Sequence, residues 1–367
     1  MRDLPPPFFS GSYAPDDVRF LLRTVVVDTT DVATKEARIQ SGEAHYSEMV
    51  SAEPPPSATY MDLFHQAWRS TRTRHAADVA AVADAIAQRY RAGALGSTPT
   101  ICSLVRGGVP LGVILARVLR GRGIPVAHFG VSIVRGKGLD TAAMAVVADE
   151  RGLDGVVFVD GWTGKGAIAE ELGHSWRALC GREPLLAVLA DPCGAADIAG
   201  SDEDWLIPNG LLGANVSGLV SRTVVPKGEL HLLHATMRTL HLQGWDVSQA
   251  YATDIAAAAA QLPAGDGKTS AALAASRGAR ALQARGTLRQ VMGTYRVADR
   301  NRVKPGIAEA TRALLRRKPE RVLVRDADDP DLAGLRHLCA TAQVPMETIG
   351  AATGPWRALT LIAKATS

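Results

Sequence analysis

Short apolar segments alternate with helical patterns along the middle of the 367-residue chain. Four apolar runs predict strands: TICSLV (100–105), IPVAHFGVSIV (124–134), GVVFVD (155–160) and PLLAVLAD (184–191). We predict helices between them, from VPLG to about Arg120 and over LDTAAMAVVADERG and AIAEELGHSWRALCG. Repeated strand–helix units indicate a parallel sheet covered by helices on both faces, which is an α/β fold.

Other elements are predicted on either side of this core. A long helical pattern begins at Tyr60 and has one apolar face, formed by Val79, Val82, Ala83, Ile86 and Tyr90. Before it, SYAPDDVRFLL is typical of a short capped helix, and RTVVVD of a short strand. After it, DWLIPNGLLGANVSGLVSRTVV (204–225) indicates short strands and turns.

The chain is long enough for two domains. An alanine-rich helix is predicted over 244–262, and the small, polar stretch 265–286 is typical of a linker or a solvated helix. A second α/β unit follows, with helix GIAEATRALLRRKP, strand ERVLVRD, helix DPDLAGLRHLCATAQ and strands VPMETI and RALTLIA. We therefore divide the chain into a first domain (1–240), a helix with a linker (241–287) and a small C-terminal domain (288–367).

Composition narrows the class of protein. The hydrophobic content of 47% and charged content of 21% are those of a soluble globular protein, and the net charge of +4 is mild. The N-terminus lacks the apolar segment of a secretion signal, and no run is long enough to span a membrane. We expect a cytoplasmic protein without a membrane partner. Its four cysteines lack the spacing of a metal site or a disulfide framework: Cys102, Cys180, Cys193 and Cys339.

A glycine-rich turn follows the third predicted strand. Parallel sheets bind ligands where their strands end, and helix starts bind phosphate through backbone N–H groups. The sequence therefore predicts a phosphate site in DGWTGKG, formed by Asp160, Gly161, Trp162, Thr163, Gly164, Lys165 and Gly166. Its spacing does not match the P-loop. The alternative is a plain turn whose glycines only permit tight geometry.

Two more loops of similar character follow the neighbouring strands. Arg106, Gly107 and Gly108 come directly after the first strand, where glycine permits close approach and arginine suits phosphate oxygens. Arg135 and Lys137 lie among glycines after the second strand, as in a loop that closes over an anionic group. Three consecutive loops of this kind favour a shared site over a chance pattern.

These motifs resemble a known family. Residues 8–235 resemble a type I phosphoribosyltransferase, and more closely the phosphoribosyltransferase-like family of bacterial tellurium-resistance and stress operons. The resemblance is carried by VRGGVPLG, VSIVRGKGLD, VFVDGWTGKGAI, FFSGSYAPDDVRFLL and IQSGEAHYSEM. It implies a parallel sheet with flanking helices and a hood, and binding of 5-phosphoribosyl-1-pyrophosphate (PRPP) with Mg²⁺.

The resemblance also assigns residues. It implies that the DGWTGKG turn binds the 5′-phosphate and ribose, that the Arg106 loop binds pyrophosphate, and that Arg135 and Lys137 belong to a mobile loop. Asp160 and Arg106 would be catalytic. The sequence departs from the family where Asp160 is followed by Gly161 instead of a second acid. It contains no direct metal motif, so Mg²⁺ would come with PRPP, with Asp160 as its one candidate ligand.

An acceptor pocket is predicted from two further segments. Trp205, in DWLIPNGLLGANVSG, either stacks on a base or fills the core. The stretch GEAHYSEM is either a solvated turn or an acceptor-recognition cluster, in which His45, Tyr46 and Glu48 are the candidates.

The C-terminal domain resembles the pelota-type RNA-binding domain, through KPGIAEATRALLRRKPERVLVRD and VPMETIG. In that fold a glycine-led helix start and a basic surface meet RNA. The candidate residues here are Lys304, Arg312, Arg316, Arg317 and Lys318. A basic patch is the electrostatic footprint of a phosphate backbone, although a solvated helix end carries similar charges.

Three functions follow as expectations. The first is transfer of phosphoribose from PRPP to an unknown small acceptor, with release of pyrophosphate, in a stress-linked pathway. The second is a non-catalytic PRPP- or nucleotide-binding regulator of an RNA-binding module. The third is a cysteine hydrolase that uses Cys102, since relatives are sometimes labelled cysteine proteases. A homodimer is also expected, because this fold often dimerises.

Overall fold

The structure is a computed structural model that describes residues 8–364. The first part of the chain is built around a six-stranded parallel sheet. Strands of this part are β1 (Arg19–Phe20), β2 (Arg23–Thr24), β3 (Thr100–Leu104), β4 (Ala127–Val131), β5 (Ile133–Val134), β6 (Gly138–Leu139), β7 (Val156–Trp162), β8 (Leu186–Ala190), β9 (Ile198–Ser201) and β10 (Ala235–Thr236). The order in the sheet is β1-β4-β3-β7-β8-β9, so the predicted parallel sheet is confirmed. Two short pairs, β10-β2 and β5-β6, lie outside it.

Helices cover both faces of the sheet. They are α1 (Val32–Gln40), α2 (Ala58–Arg91), α3 (Val109–Gly121), α4 (Thr141–Arg151), α5 (Ala167–Cys180) and α6 (Ser248–Ala260). Side chains alternate along each strand, so Val157 and Val159 pack with α2, α3 and α6, whereas Phe158 packs with α4 and α5. The helix predicted from Tyr60 onward is confirmed and buries its predicted face.

A small mixed sheet forms the C-terminal domain. Its strands are β11 (Val303–Pro305), β12 (Pro319–Val324), β13 (Met346–Thr348) and β14 (Ala358–Ile362), in the order β11-β14-β12-β13. Helices α8 (Ile307–Arg316) and α9 (Ala333–Thr341) pack beside it. The predicted small α/β unit is therefore present, with β11 as an additional strand.

Two stretches differ from their predicted structure. SYAPDDVRFLL contains turns and edge strand β1, because Phe20 and Leu21 are buried on opposite sides of the sheet. Both faces of an edge strand can be buried in this way, whereas a short surface helix buries only one. Residues 204–225 contain short 3₁₀ turns and isolated bridges to residues 235 and 238, and no extended strand.

The stretch 265–286, predicted as a linker or a solvated helix, lies mostly in helix α7 (Lys268–Thr294), which packs against both units. Ala284, Leu288 and Val291 bury a narrow apolar strip in a cluster with Trp356 of the C-terminal domain. Near the start of α7, the Ser270 hydroxyl accepts a hydrogen bond from Ala199 N of β9 at 3.3 Å. The predicted domain boundaries at 240 and 287 stay predictions.

No helix within residues 8–364 is long and apolar enough to cross a membrane. The expected absence of a secretion signal rests partly on residues 1–7, which lie outside the described residues, as do residues 365–367. The cytoplasmic location stays a prediction.

Candidate functional site

A cleft of about 820 Å³ lies where strands β3, β4 and β7 end, opposite helix α8 of the C-terminal domain. Because these three strands are neighbours in the sheet, the loops that follow them meet at one edge. The cleft is lined by Arg106 and Gly107, by Arg135, and by the turn from Trp162 to Gly166. The three loops singled out in the sequence are therefore brought together.

Side chains and a carbonyl group of the turn after β7 form hydrogen bonds with other parts of the protein. The Thr163 hydroxyl donates to Asp191 Oδ1 at 2.5 Å, so its proton is already engaged within the protein, whereas a ligand contact was predicted. Lys165 Nζ donates to the carbonyl oxygens of Arg300 and Val303, at 2.6 and 3.0 Å. Trp356 Nε1 donates to the Gly164 carbonyl at 3.1 Å. The C-terminal domain thus holds this turn from the side opposite the sheet.

The loop after β3 needs its glycines because it runs close to β7. A Cβ atom on Gly108 would overlap the carbonyl oxygen of Val159, and one on Gly107 would lie 2.8 Å from Asp160 Oδ1. Arg106 is buried, forms an ion pair with Glu53 and donates to the Val220 carbonyl at 3.0 Å. The predicted phosphate-binding arginine is therefore held by an internal carboxylate.

The loop after β4 meets the GEAHYSEM stretch. Arg135 N donates to the Tyr46 hydroxyl at 2.9 Å, and both residues line the cleft. Lys137 Nζ donates to Glu48 Oε1 at 2.9 Å and lies outside the cleft lining. His45 Nδ1 hydrogen bonds with Ser47 and caps a short 3₁₀ turn. Of this predicted cluster, Tyr46 reaches the cleft, whereas His45 and Glu48 support the loop.

Trp205 lies in the core, away from the cleft. Its side chain is 1% exposed and packs edge-on against His75, with the Arg74 guanidinium 4.9 Å from the ring centroid. The structure therefore supports the core-filling alternative, and the predicted stacking of Trp205 on a ligand is corrected.

The basic residues assigned to RNA divide into two groups. Lys304, Arg312, Arg316 and Arg317 line the cleft and face the first unit, whereas Lys318 is exposed outside it. Arg317 is held there by two contacts with Glu36, at 2.5 and 2.7 Å. Most of the predicted RNA patch therefore lies between the two units instead of on an open surface.

Positive charge exceeds negative charge in the cleft. Twelve lysines and arginines among the described residues line it, against three acids, Asp160, Asp299 and Glu309. Burial, and then neighbouring cations, lower the pKa of Lys165 to about 7. Burial lowers the pKa of Lys304 to about 8, although Glu309 opposes this. Burial and Arg106 likewise lower the pKa of Arg316 to about 9, although Glu53 opposes this. Burial penalises the charged forms of these side chains, and the few acids nearby do not compensate for it.

Asp160 lies two residues before the end of β7 and lines the cleft. Its carboxyl accepts a hydrogen bond from its own neighbour, Gly161 N, at 2.8 Å. Burial raises its pKa to about 7, while Gly161 N–H and Arg312 oppose the rise. A carboxyl group with this pKa can hold or release a proton near neutral pH.

The described residues give little support for a bound metal ion or for a cysteine nucleophile. Within residues 8–364, no group of three or more His, Cys, Asp or Glu side chains could hold a metal ion, and Mg²⁺ stays a prediction. Cys102 is fully buried in β3, and burial raises the pKa of its thiol far above the usual range. No histidine hydrogen bonds to any of the four cysteines, all of which lie in the described part of the chain.

Sequence reasoning missed several residues of the site. Glu53, which binds Arg106, lies in the coil SAEPPPS, where no local pattern distinguishes it. Arg222 donates to the carbonyl oxygens of Tyr46 and Met49, and Lys35 also lines the cleft. Asp204, just before Trp205, accepts from Ile307 N at the start of α8, at 3.0 Å. The one sequence signal for Asp204 is its position directly before Trp205, which is itself a candidate for the predicted acceptor pocket.

Comparison with known proteins identifies relatives for both units. The chain is 38% identical over 371 aligned residues to "Cysteine protease StiP" of Acinetobacter baylyi, covering 97% of this chain and 94% of the relative. Residues 282–364 match the family described as "PELOTA RNA binding domain", so the predicted pelota-type domain is confirmed. No solved structure matches the chain.

The first unit also has a family match. Residues 11–256 match the family described as "Tellurite-like stress resistance cysteine protease StiP". The predicted link to tellurium resistance is therefore supported, whereas the predicted phosphoribosyltransferase activity is wrong, because the family and the relative are both named for a cysteine protease. The chain belongs to the StiP family of tellurite-like stress resistance proteins.

Proposed function

We propose that the cleft binds a small phosphorylated ligand. The observation that carries this proposal is the excess of cations, with twelve lysines and arginines facing three acids in a partly enclosed space. Concentrating like charges away from water is unfavourable unless an anion neutralises them. A phosphate group carries the required charge and accepts hydrogen bonds from both guanidinium and ammonium groups.

The loops support the same ligand. The sheet order and the three loops at its edge suit a phosphoribosyltransferase-like fold, which we propose as a scaffold for binding, without the transfer reaction. The volume of about 820 Å³ lies within the range of small-molecule sites and exceeds the needs of a single phosphate ion. The bound molecule would thus be a phosphorylated metabolite.

Titration calorimetry with ribose 5-phosphate and with inorganic pyrophosphate tests the proposal. We expect binding with uptake of protons at pH 7.5, because an anion raises the pKa values of Lys165 and Lys304 from about 7 and about 8. Proton uptake is measured by repeating the titration in buffers of different ionisation enthalpy. Lys304→Gln should weaken binding at least about fivefold, since it removes one cleft charge.

Arg151→Gln is the matched control, because Arg151 is exposed at the end of α4, outside the cleft. It should leave the affinity and the proton uptake unchanged. The proposal fails if neither phosphate compound binds to the wild-type protein, or if both variants weaken binding equally.

The name of the relative from Acinetobacter baylyi supports a second candidate, a cysteine peptidase. Cys193 is the cysteine nearest the glycine turn, with its sulfur 3.8 Å from where a Cβ of Gly166 would lie. Burial and Asp191 raise the pKa of Cys193 to about 12, so its thiol is protonated in this arrangement. A peptidase would need a rearrangement that brings a histidine to the sulfur.

A cleavage assay tests this second candidate. Wild-type protein, Cys102→Ser and Cys193→Ser are incubated with an unfolded protein substrate, before and after treatment with iodoacetamide. Cleavage that is lost in one serine variant and after alkylation would establish the peptidase. Equal fragmentation in all samples, or none in any, would remove it.

A further inference from the structure

Arg312 extends from helix α8 into the cleft without a hydrogen-bond acceptor among the described residues. Its nearest acid is Glu309, whose Oε1 lies 3.9 Å from Nη1, beyond hydrogen-bond distance. Its Nε is buried and has no partner. A guanidinium group offers five N–H donors, and leaving buried donors unmet is costly.

The surroundings of Arg312 belong to the first unit. The guanidinium carbon lies 4.5 Å from the centroid of the Trp162 ring, a distance that fits a cation–π contact. A Cβ built on Gly107 would lie 3.6 Å from Arg312 Nη1 and 2.8 Å from Asp160 Oδ1. Arg312 and Asp160 therefore face the same small space above Gly107, yet they form no ion pair with each other.

Three other arginines of the cleft are already engaged, and a fourth, Arg316, lies 3.8 Å from Glu53. Arg106 is paired with Glu53, Arg317 with Glu36, and Arg222 with two backbone carbonyl groups. These side chains stabilise the fold around the cleft. Arg312 is instead held in position by the face of Trp162 while its donors stay available.

The start of α8 is fixed by the first unit. Both carboxylate oxygens of Asp204 accept from Ile307 N, at 3.0 and 3.2 Å, and Arg357 N donates to Asp204 Oδ2 at 2.7 Å. The helix start that would meet an external anion is thereby occupied by an internal one. Since Arg312 lies five residues further along the same helix, this contact also fixes its position over the cleft.

We propose that Arg312 is a ligand-contacting residue that the C-terminal domain supplies to the cleft, so that the bound phosphorylated molecule contacts both units. This inference rests on the function proposed above. It identifies the phosphate group as the part of the ligand that Arg312 contacts, because its planar fork suits two phosphate oxygens at once. The cleft-facing side of α8 then serves a small ligand instead of RNA.

The experiment measures pyrophosphate affinity by calorimetry and the rise in melting temperature that pyrophosphate causes. It compares the full-length wild-type protein with Arg312→Met, Arg312→Lys and Lys318→Met. Methionine keeps much of the apolar stem over Trp162 but removes the charge. Lys318 is the matched control, because it belongs to the same predicted basic patch but is exposed outside the cleft.

We expect Arg312→Met to weaken pyrophosphate binding at least tenfold and to abolish most of the ligand-induced rise in melting temperature. Arg312→Lys should recover part of the affinity, and Lys318→Met all of it. The melting temperature without ligand should change little in any variant, which separates ligand contact from a merely structural role.

Several outcomes would overturn the inference. If the wild-type protein binds pyrophosphate and Arg312→Met binds it equally well, the proposed function stands and the role of Arg312 is wrong. If the wild-type protein does not bind, the proposed function fails first. If Arg312→Met and Lys318→Met both weaken binding of a structured RNA hairpin while pyrophosphate affinity is unchanged, the patch is an RNA surface.

Discussion

The half of the cleft formed by the parallel sheet differs from the half formed by the C-terminal domain. The sheet half contributes closely spaced backbone, glycines, one acid, Asp160, and cations such as Arg106 and Lys165 that are already held by partners within the protein. The C-terminal half contributes charged side chains, above all Lys304, Arg312 and Arg316. The shape of the sheet half depends on glycines, which let the loops run close to neighbouring strands. The ability of the C-terminal half to bind an anion depends on its charged side chains.

This difference means that the two halves should respond differently to substitution. Changes in the sheet half disturb packing and therefore stability, because its loops run against neighbouring strands. Changes in the C-terminal half should alter ligand affinity more than stability, except where a side chain joins the two units. Three substitutions test this comparison.

Gly108→Ala should have the largest effect on stability. A Cβ at this position would overlap the Val159 carbonyl oxygen, which belongs to β7 and cannot move without disturbing the sheet. We expect the free energy of unfolding to fall by about 3 kcal/mol in urea titrations. Gly121→Ala is the control, since a Cβ there meets no atom within 4 Å, and it should be neutral or slightly stabilising. Equal effects of the two changes would contradict the packing argument.

Asp204→Ala should have the next largest effect, because Asp204 joins the units. The change leaves the amide groups of Ile307 and Arg357 without their acceptor. Loss of a helix cap and of a buried hydrogen bond predicts a fall of about 2 kcal/mol in the free energy of unfolding. Asp202→Ala, at an exposed position nearby, should change it by less than about 0.5 kcal/mol. If Asp204→Ala is neutral in the same urea titrations, the two units are held together by other contacts.

Asp160→Asn should have the smallest effect, and one that depends on pH. Because burial raises the pKa of Asp160 to about 7 from its usual value near 4, the folded protein binds a proton that the unfolded chain releases between these values. Asp160 therefore disfavours folding increasingly as the pH rises from about 4 to 7. At pH 8 the variant should be more stable than the wild-type protein by about 1 kcal/mol, after allowing for access of water from the cleft.

Urea titrations at pH 5 and pH 8 measure this difference, which should shrink at the lower pH. Asp149→Asn, on the exposed side of α4, should show no such pH dependence. An Asp160→Asn variant that is less stable at pH 8 would show that the ionised carboxylate stabilises the site.

Much of the fold was predictable because its signals are local. Strands β3, β7 and β8 are continuous apolar runs, and the turn glycines stand beside them in the sequence. By contrast, the partners of the site residues are distant in sequence. Thr163 contacts Asp191, Arg106 contacts Glu53, and Lys165 contacts a carbonyl group 138 residues later. No local pattern encodes such pairs.

The dependence on contacts that are distant in sequence also explains two larger differences between prediction and structure, which concern the basic residues of α8 and Trp205. The sequence predicted the position of the basic residues on α8 but not the direction that they face, which depends on how the units pack. Trp205 suited either a ligand pocket or the core, and the surrounding helices decide between them. The transferase prediction followed from loops that suit phosphate, and loops of this kind do not specify a reaction.

The carboxylate of Asp204 at the start of α8 also limits how freely the C-terminal domain could be exchanged between proteins. Transplanted to another host, this domain would lack the acceptor for Ile307 and Arg357, and Arg312 would lose the indole surface of Trp162. A host would need to provide both. The domain of this chain is therefore an adapted part of one protein and not an interchangeable module, and its evolution should be coupled to that of the sheet it covers.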